Sequence, residues 1–220
     1  MKKATKEILL KKGEELILKS GYYETKVEDI TKEAGVAKGT FYIYFSSKED
    51  IFIEILKGKI AKAVESMREK KEEVTDFRKK MDIATEEYIK FHIDNLGFLR
   101  VIFSMEKEKK NSKFMNNLME LHKMKLEVVI SVFKNAVENR EITVKYKDRI
   151  EDIAIMYDIM RTEYIFHKLI KLKMEEGNGE CPERGFCDFA NIDTDSIKNK
   201  IDARREAELI NDIFFNGIIA

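Results

Sequence analysis

An all-α fold follows from three features of the sequence. Apolar residues recur every three to four positions through most of the chain, no stretch alternates convincingly with the period of a strand, and breakers are scarce, with one proline and ten glycines in 220 residues. Charged residues reach 37%, above the roughly 25% of an average globular chain, a composition that favours helices.

The elements follow in order. Over 4–20, Leu9, Leu16 and Ile17 with Gly13 form one stripe, and Gly21 stops the helix. Thr25 stands as an N-cap with Glu28 three residues on, and Val27, Ile30 and Ala34 share a face until Gly35. Ala37 to Phe45 places Phe41 and Phe45 one turn apart, which leaves Lys38, Thr40, Tyr42 and Tyr44 pointing outward. Ser47 with Asp50 caps a longer helix, striped by Phe52, Ile55, Leu56, Ile60, Ala63, Val64 and Met67, running to about Lys70. Helical periodicity continues over about 74–95, 96–105, 111–139 and 147–174. Residues 175–190 hold three glycines, the single proline and both cysteines, and read as a loop before a last helix over 193–217. The predicted organisation is a three-helix head over 1–47 and a helical body over 48–220, joined by a connecting helix over 48–70.

Bulk charge excludes little. Lys plus Arg and Asp plus Glu number 41 each, and residues 1–50 hold ten lysines against nine acids, so nucleic-acid binding has to be argued from local placement. No stretch is long and apolar enough to cross a bilayer, and the basic start leads into an amphipathic segment, so a cytoplasmic, unprocessed protein is expected. Cys181 and Cys187 are too few for a disulfide framework and match no trusted metal spacing; a mobile loop with incidental thiols is the favoured reading over a redox or metal role. No metal site or cofactor is predicted. Neither a phosphate-binding glycine loop, a nucleophile elbow nor a zinc-protease motif occurs, so an enzyme is not expected.

The segment 27–50, VEDITKEAGVAKGTFYIYFSSKED, puts a helix, a glycine turn and a second helix in fixed register. Small residues at the start of that second helix, Ala37 and Gly39, would let backbone approach a groove floor. Thr40 could meet a base edge or a thymine methyl, and Lys38 a guanine edge or a phosphate. Tyr42 and Tyr44 carry hydroxyls on rigid rings, suited to phosphate oxygens that position without specifying sequence. Thr25, Lys26 and Lys48 sit near helix N-termini, where phosphates would fit. Lys38-Gly39-Thr40 and the ending Tyr42-x-Tyr44-Phe45-x-x-Lys48-Glu49 make this segment similar to the DNA-binding signature of the TetR family of regulators. The likeness covers about the first 60 residues. It implies a three-helix DNA-binding head, a long connecting helix, a variable ligand-binding body, and a homodimer made largely by the last two helices. Two departures stand out: Lys12, where the family has a small residue, and Ile43, at a commonly aromatic or polar position, which could alter base preference through a thymine methyl.

For a ligand-sensing body, the candidate wall is the surplus of aromatic, histidine and methionine residues at Tyr88, Phe91, His92, Phe98, Phe103, Met115, Met119, His122, Tyr157 and Tyr164. Plain core packing is the commoner fate of such residues. The expected mechanism is repression: a two-fold dimer holds two recognition helices in successive major grooves of a pseudo-palindromic operator and lets go when an unknown small molecule shifts the connecting helix. The alternatives are a helical small-molecule- or protein-binding module with a vestigial head, or an activator.

Overall fold

The computed structural model describes residues 2–107, 112–176, 197 and 199–218. Among the described residues the chain is helical with no strand: α1 Lys2–Ser20, α2 Val27–Glu33, α3 Lys38–Tyr44, α4 Lys48–Lys71, α5 Phe77–Asp94, α6 Leu96–Lys107, α7 Ser112–Glu138, α8 Ile150–Glu176 and α9 Ala203–Ile218. A single 3₁₀ turn, Lys147–Arg149, leads into α8. Two compact units are formed, one by residues 1–62 with 97–119 and one by 63–96 with 120–220. The predicted head over 1–47 lies within the first unit.

In the first unit the stripes meet as their spacing requires. Leu9 and Ile17 of α1, Ile30 of α2, Phe41 of α3, and Ile51 and Phe52 of α4 are all fully buried. Phe52 is the hub, with its ring 5.5 Å from Tyr22, 5.7 Å from Phe98 and 5.9 Å from Phe114. Gly13 lies on the α1 stripe because α4 comes close there: a Cβ would sit 3.1 Å from the Ile51 Cδ1.

The second unit is built round an aromatic core of Phe77, Phe133, Tyr157, Phe214 and Phe215, contributed by α5, α7, α8 and α9. Within it runs a buried polar chain. The Tyr157 hydroxyl donates to the Asn211 Oδ1 at 2.9 Å and is also hydrogen-bonded to Thr85, while the Asn211 Nδ2 donates to Asp82 at 2.6 Å. The chain ties α5, α8 and α9 and meets the hydrogen-bonding demand that burial creates. Tyr157 therefore belongs to the packed interior of this unit, and burial raises the pKa of its phenol, keeping the proton.

Two sequence expectations are corrected. The last helix begins at Ala203 and not near residue 193, with the Asp202 Oδ1 accepting from the backbone N–H groups of Arg204 and Arg205 at 3.1 and 3.2 Å as its cap. The cap of α2 is Lys26, whose N–H donates to the Asp29 carboxylate at 3.0 Å, and Thr25 with Glu28 takes no part in it. The cap signal at α4 is present, as the Asp50 N–H donates to the Ser47 Oγ at 3.1 Å. Cys181, Cys187 and the expected loop over 175–190 fall outside the described residues, apart from Glu175 and Glu176 at the end of α8.

Candidate nucleic-acid interface

The α2–α3 connection is a tight turn because Gly35 takes a φ of +68°, a region that costs other L-residues roughly 1 kcal/mol or more. The Gly35 N–H donates to the Lys32 carbonyl at 3.1 Å and the Val36 N–H to that of Thr31 at 3.0 Å, which brings the chain straight into α3. Ala37 is extended and caps α3. Phe41 and Phe45 then point inward, with rings 5.4 Å apart.

The opposite face of α3 is open. Ala37, Lys38, Gly39, Tyr42 and Ile43 are exposed side by side, and Ile43 keeps 73% and Tyr42 52% of their surface. A Cβ on Gly39 would meet nothing within 4 Å. Internal packing thus gives no reason for glycine in a helix, where it costs about 0.5–1 kcal/mol against alanine. Close approach by something outside the chain would give one. Thr40 and Tyr44 are half-buried at the edge of this face. Lys26 is exposed at the start of α2, and Lys38 pairs with the Glu28 carboxylate at 2.5 Å. That partner holds the ammonium of Lys38 protonated to higher pH and the carboxyl of Glu28 ionised to lower pH.

Two predicted contacts do not join this face. Thr25 is only 2% exposed, and its hydroxyl donates to the Gly21 carbonyl at 2.7 Å. The Lys48 ammonium donates to the carbonyls of Tyr22 at 2.6 Å and Thr25 at 2.9 Å, and lies 4.2 Å from the Tyr22 ring centroid. Burial lowers its pKa.

The predicted ligand wall is dispersed. Phe98 is buried in the first unit's core, where Met115 is half-buried and Met119 exposed. In the second unit Tyr88, Phe91, His92 and Tyr164 are half-buried, Tyr157 is fully buried and His122 is exposed. The Phe103 side chain lies outside the described residues. Tyr88 and His92 belong to a polar cluster that sequence reasoning missed. The Tyr88 hydroxyl is 2.7 Å from the Thr162 Oγ1, and the Arg161 guanidinium stacks 4.1 Å from the Tyr88 ring centroid. Asp158, almost wholly buried, accepts from Arg161 at 2.8 Å and pairs with Lys125 at 2.9 Å. Desolvation, with Lys125 and Arg161 adding to it, lowers the pKa of His92 to about 4, against a 2.8 Å hydrogen bond to the Tyr88 carbonyl. The i, i+3 pair Asp158–Arg161 was the available sequence clue. The Tyr164 hydroxyl bonds Glu206, and burial ahead of that carboxylate raises its pKa to about 12. Among the described residues, no group of three or more His, Cys, Asp or Glu residues could hold a metal ion, and no helix is long and apolar enough to cross a membrane.

Residues 9–55, which span all of α2 and α3, match the model of the bacterial regulatory proteins of the tetR family. Over these residues the chain is similar to that family of regulators. A fatty acid metabolism regulator protein of Bacillus subtilis is 28% identical over 128 residues, 58% of this chain and 66% of its own length. The transcriptional activator FasR of Mycolicibacterium smegmatis is 30% identical over 96 residues, 43% of either chain. The matches thus span less than two thirds of these curated relatives. In architecture, the FadR regulator of Bacillus subtilis, solved in complex with stearoyl-CoA, superposes with a TM-score of 0.67 at 20% identity, over 96% of this chain and 98% of its own. At that identity the likeness speaks for the fold.

Proposed function

We propose that this chain is a TetR-family, ligand-responsive repressor that binds a pseudo-palindromic operator as a homodimer. The observation that carries the reading is the outer face of α3, where Ala37, Lys38, Gly39, Tyr42 and Ile43 stand exposed on a helix whose other face is locked by Phe41 and Phe45. Residues 1–47 are the reading head and 48–220 the sensing and dimerising body, with 48–70 as the connection. Lys38, Thr40 and Ile43 read base edges, Ala37 and Gly39 admit the helix to the groove, and Tyr42, Tyr44 and Lys26 hold phosphates.

A second copy covers the outer faces of α8 and α9. Met156 and Ile159 on α8, and Leu209 and Ile213 on α9, are all large, apolar and exposed, the kind of surface a two-fold interface buries. For the effector, the relatives named for fatty acid metabolism and stearoyl-CoA point to a fatty acyl-CoA. It enters the second unit beside the predicted wall residues Tyr88, Phe91, His92 and Tyr164, and shifts the equilibrium by binding one state of α4 better than the other. The protein works in the cytoplasm.

Selection of duplexes from a random pool, followed by fluorescence anisotropy with stearoyl-CoA added, tests both halves. The expected result is a two-fold-symmetric sequence released by micromolar ligand. Tyr42→Phe should weaken all duplexes alike, whereas Thr40→Val should re-rank them. Failure to enrich any sequence overturns the reading. FasR, named an activator, supports a second reading in which the bound protein raises transcription. A promoter fusion distinguishes the two by the sign of the change on deleting the gene.

A further inference from the structure

Lys48 occupies the first turn of α4, where a cation faces the positive end of the helix dipole. Local helix physics therefore gives no reason for a lysine there. Its long-range contacts do. The ammonium donates to two carbonyls 26 and 23 residues away, those of Tyr22 and Thr25, and lies over the Tyr22 ring. These carbonyls belong to the α1–α2 turn, which has no helix ladder to satisfy them. The same turn is tightened by the Thr25 hydroxyl on the Gly21 carbonyl and by the Gly21 N–H on that of Ile17. It ends at Lys26, the cap of α2.

We propose that Lys48 is a positioning residue that fastens the start of α4 to the α1–α2 turn, and so sets how α2 and α3 are presented to DNA, instead of itself gripping a phosphate. The assignment rests on the DNA-binding reading above. Two of the three ammonium protons are committed to carbonyls, and a movement of the α4 N-terminus is carried through them into the turn that starts α2. The contact is thus a route by which the connecting helix reaches the reading head.

Salt dependence separates the two roles. Each phosphate contact contributes about 0.9 to the slope of log K against log salt, so losing one per subunit lowers the slope of a two-fold dimer by nearly 2. Lys48→Met keeps the stem over the Tyr22 ring and removes the hydrogen bonds. Loss of two charge-assisted bonds should weaken binding to the selected duplex roughly tenfold or more, with the slope unchanged. A slope lower by nearly 2, or binding equal to wild type, overturns the proposal.

A second measurement uses the unaltered protein, so it does not depend on the variant folding. Lysines are reductively methylated with formaldehyde and borane, with and without the selected duplex, and rates are read by mass spectrometry. Lys48 should react at least tenfold more slowly than exposed Lys26 in both samples, while Lys26 slows only with DNA. Rapid labelling of Lys48 in the free protein, suppressed by the duplex, overturns the assignment. If no duplex is selected at all, the DNA-binding reading fails, and slow labelling of free Lys48 still reports the fastening.

Discussion

Removing the Tyr157 hydroxyl should destabilise the second unit, and by an amount that depends on Asn211. In the native state that hydroxyl donates to the Asn211 Oδ1 at 2.9 Å and is bonded to Thr85, with all three residues fully buried. Tyr157→Phe leaves the Asn211 carbonyl with only the Thr85 hydroxyl at 3.3 Å, a loss of about 1–2 kcal/mol. Asn211→Leu leaves Tyr157 with only the Thr85 hydroxyl and takes from Asp82 its amide donor; because Asp82 is half-exposed and can turn to water, the cost is about 2–3 kcal/mol. Once Asn211 is gone the tyrosine hydroxyl has lost its bond to that side chain and keeps only Thr85, so deleting it as well costs less than it does in the native chain. The double variant should fall short of the sum by at least about 1 kcal/mol, well beyond the roughly 0.5 kcal/mol within which independent sites add. Urea unfolding followed by circular dichroism at one fixed protomer concentration measures this, since dimerisation would otherwise shift the midpoint. Additive effects would refute the idea of one connected chain. A Tyr157→Phe variant as stable as wild type but altered in its response to stearoyl-CoA would return Tyr157 to the ligand wall.

Three further outcomes are expected. Glu28→Gln should strengthen binding to every duplex a few-fold at low salt, because the Lys38 ammonium no longer has to leave a carboxylate; anisotropy titrations at two salt concentrations check this, and a change in sequence ranking without a change in affinity would contradict it. Holding His92 neutral to about pH 4 means that the unfolded chain binds more protons than the native one between about pH 4 and 6.5. Stability should therefore fall as pH drops through that window, and His92→Gln should flatten the dependence in urea midpoints taken at pH 7, 6, 5 and 4.5. The groups facing the ring are the Tyr88 carbonyl, Lys125, Arg161 and Asp158. Finally, Ile159→Glu with Ile213→Glu should convert a dimer to monomer in sedimentation at micromolar concentration while helical content is kept; a persistent dimer would move the interface away from α8 and α9.

What could be read from the residues depended on how far apart in the chain the partners lie. The α3 face was legible because Phe41 and Phe45 settle which side is inward, and every other residue of a seven-residue helix follows from that. The cap of α2 was not, since Thr25 with Glu28 and Lys26 with Asp29 have the same three-residue spacing and only the backbone decides between them. Lys48 was read from its own helix as an anchor for phosphate, when its partners lie 23 and 26 residues upstream in a turn whose carbonyls no periodicity displays. The candidate wall residues are dispersed for a related reason. Aromatic and methionine content marks apolar demand without saying which helix pairs meet it, so Phe98 went to the Phe52 cluster and Tyr157 to the Thr85–Asn211 chain. Residues answering to local sterics are therefore the ones a sequence shows most directly. Those that aim the reading face or carry a signal into it, the role proposed for Lys48, act through contacts distant in the chain, and for them the fold had to be known first.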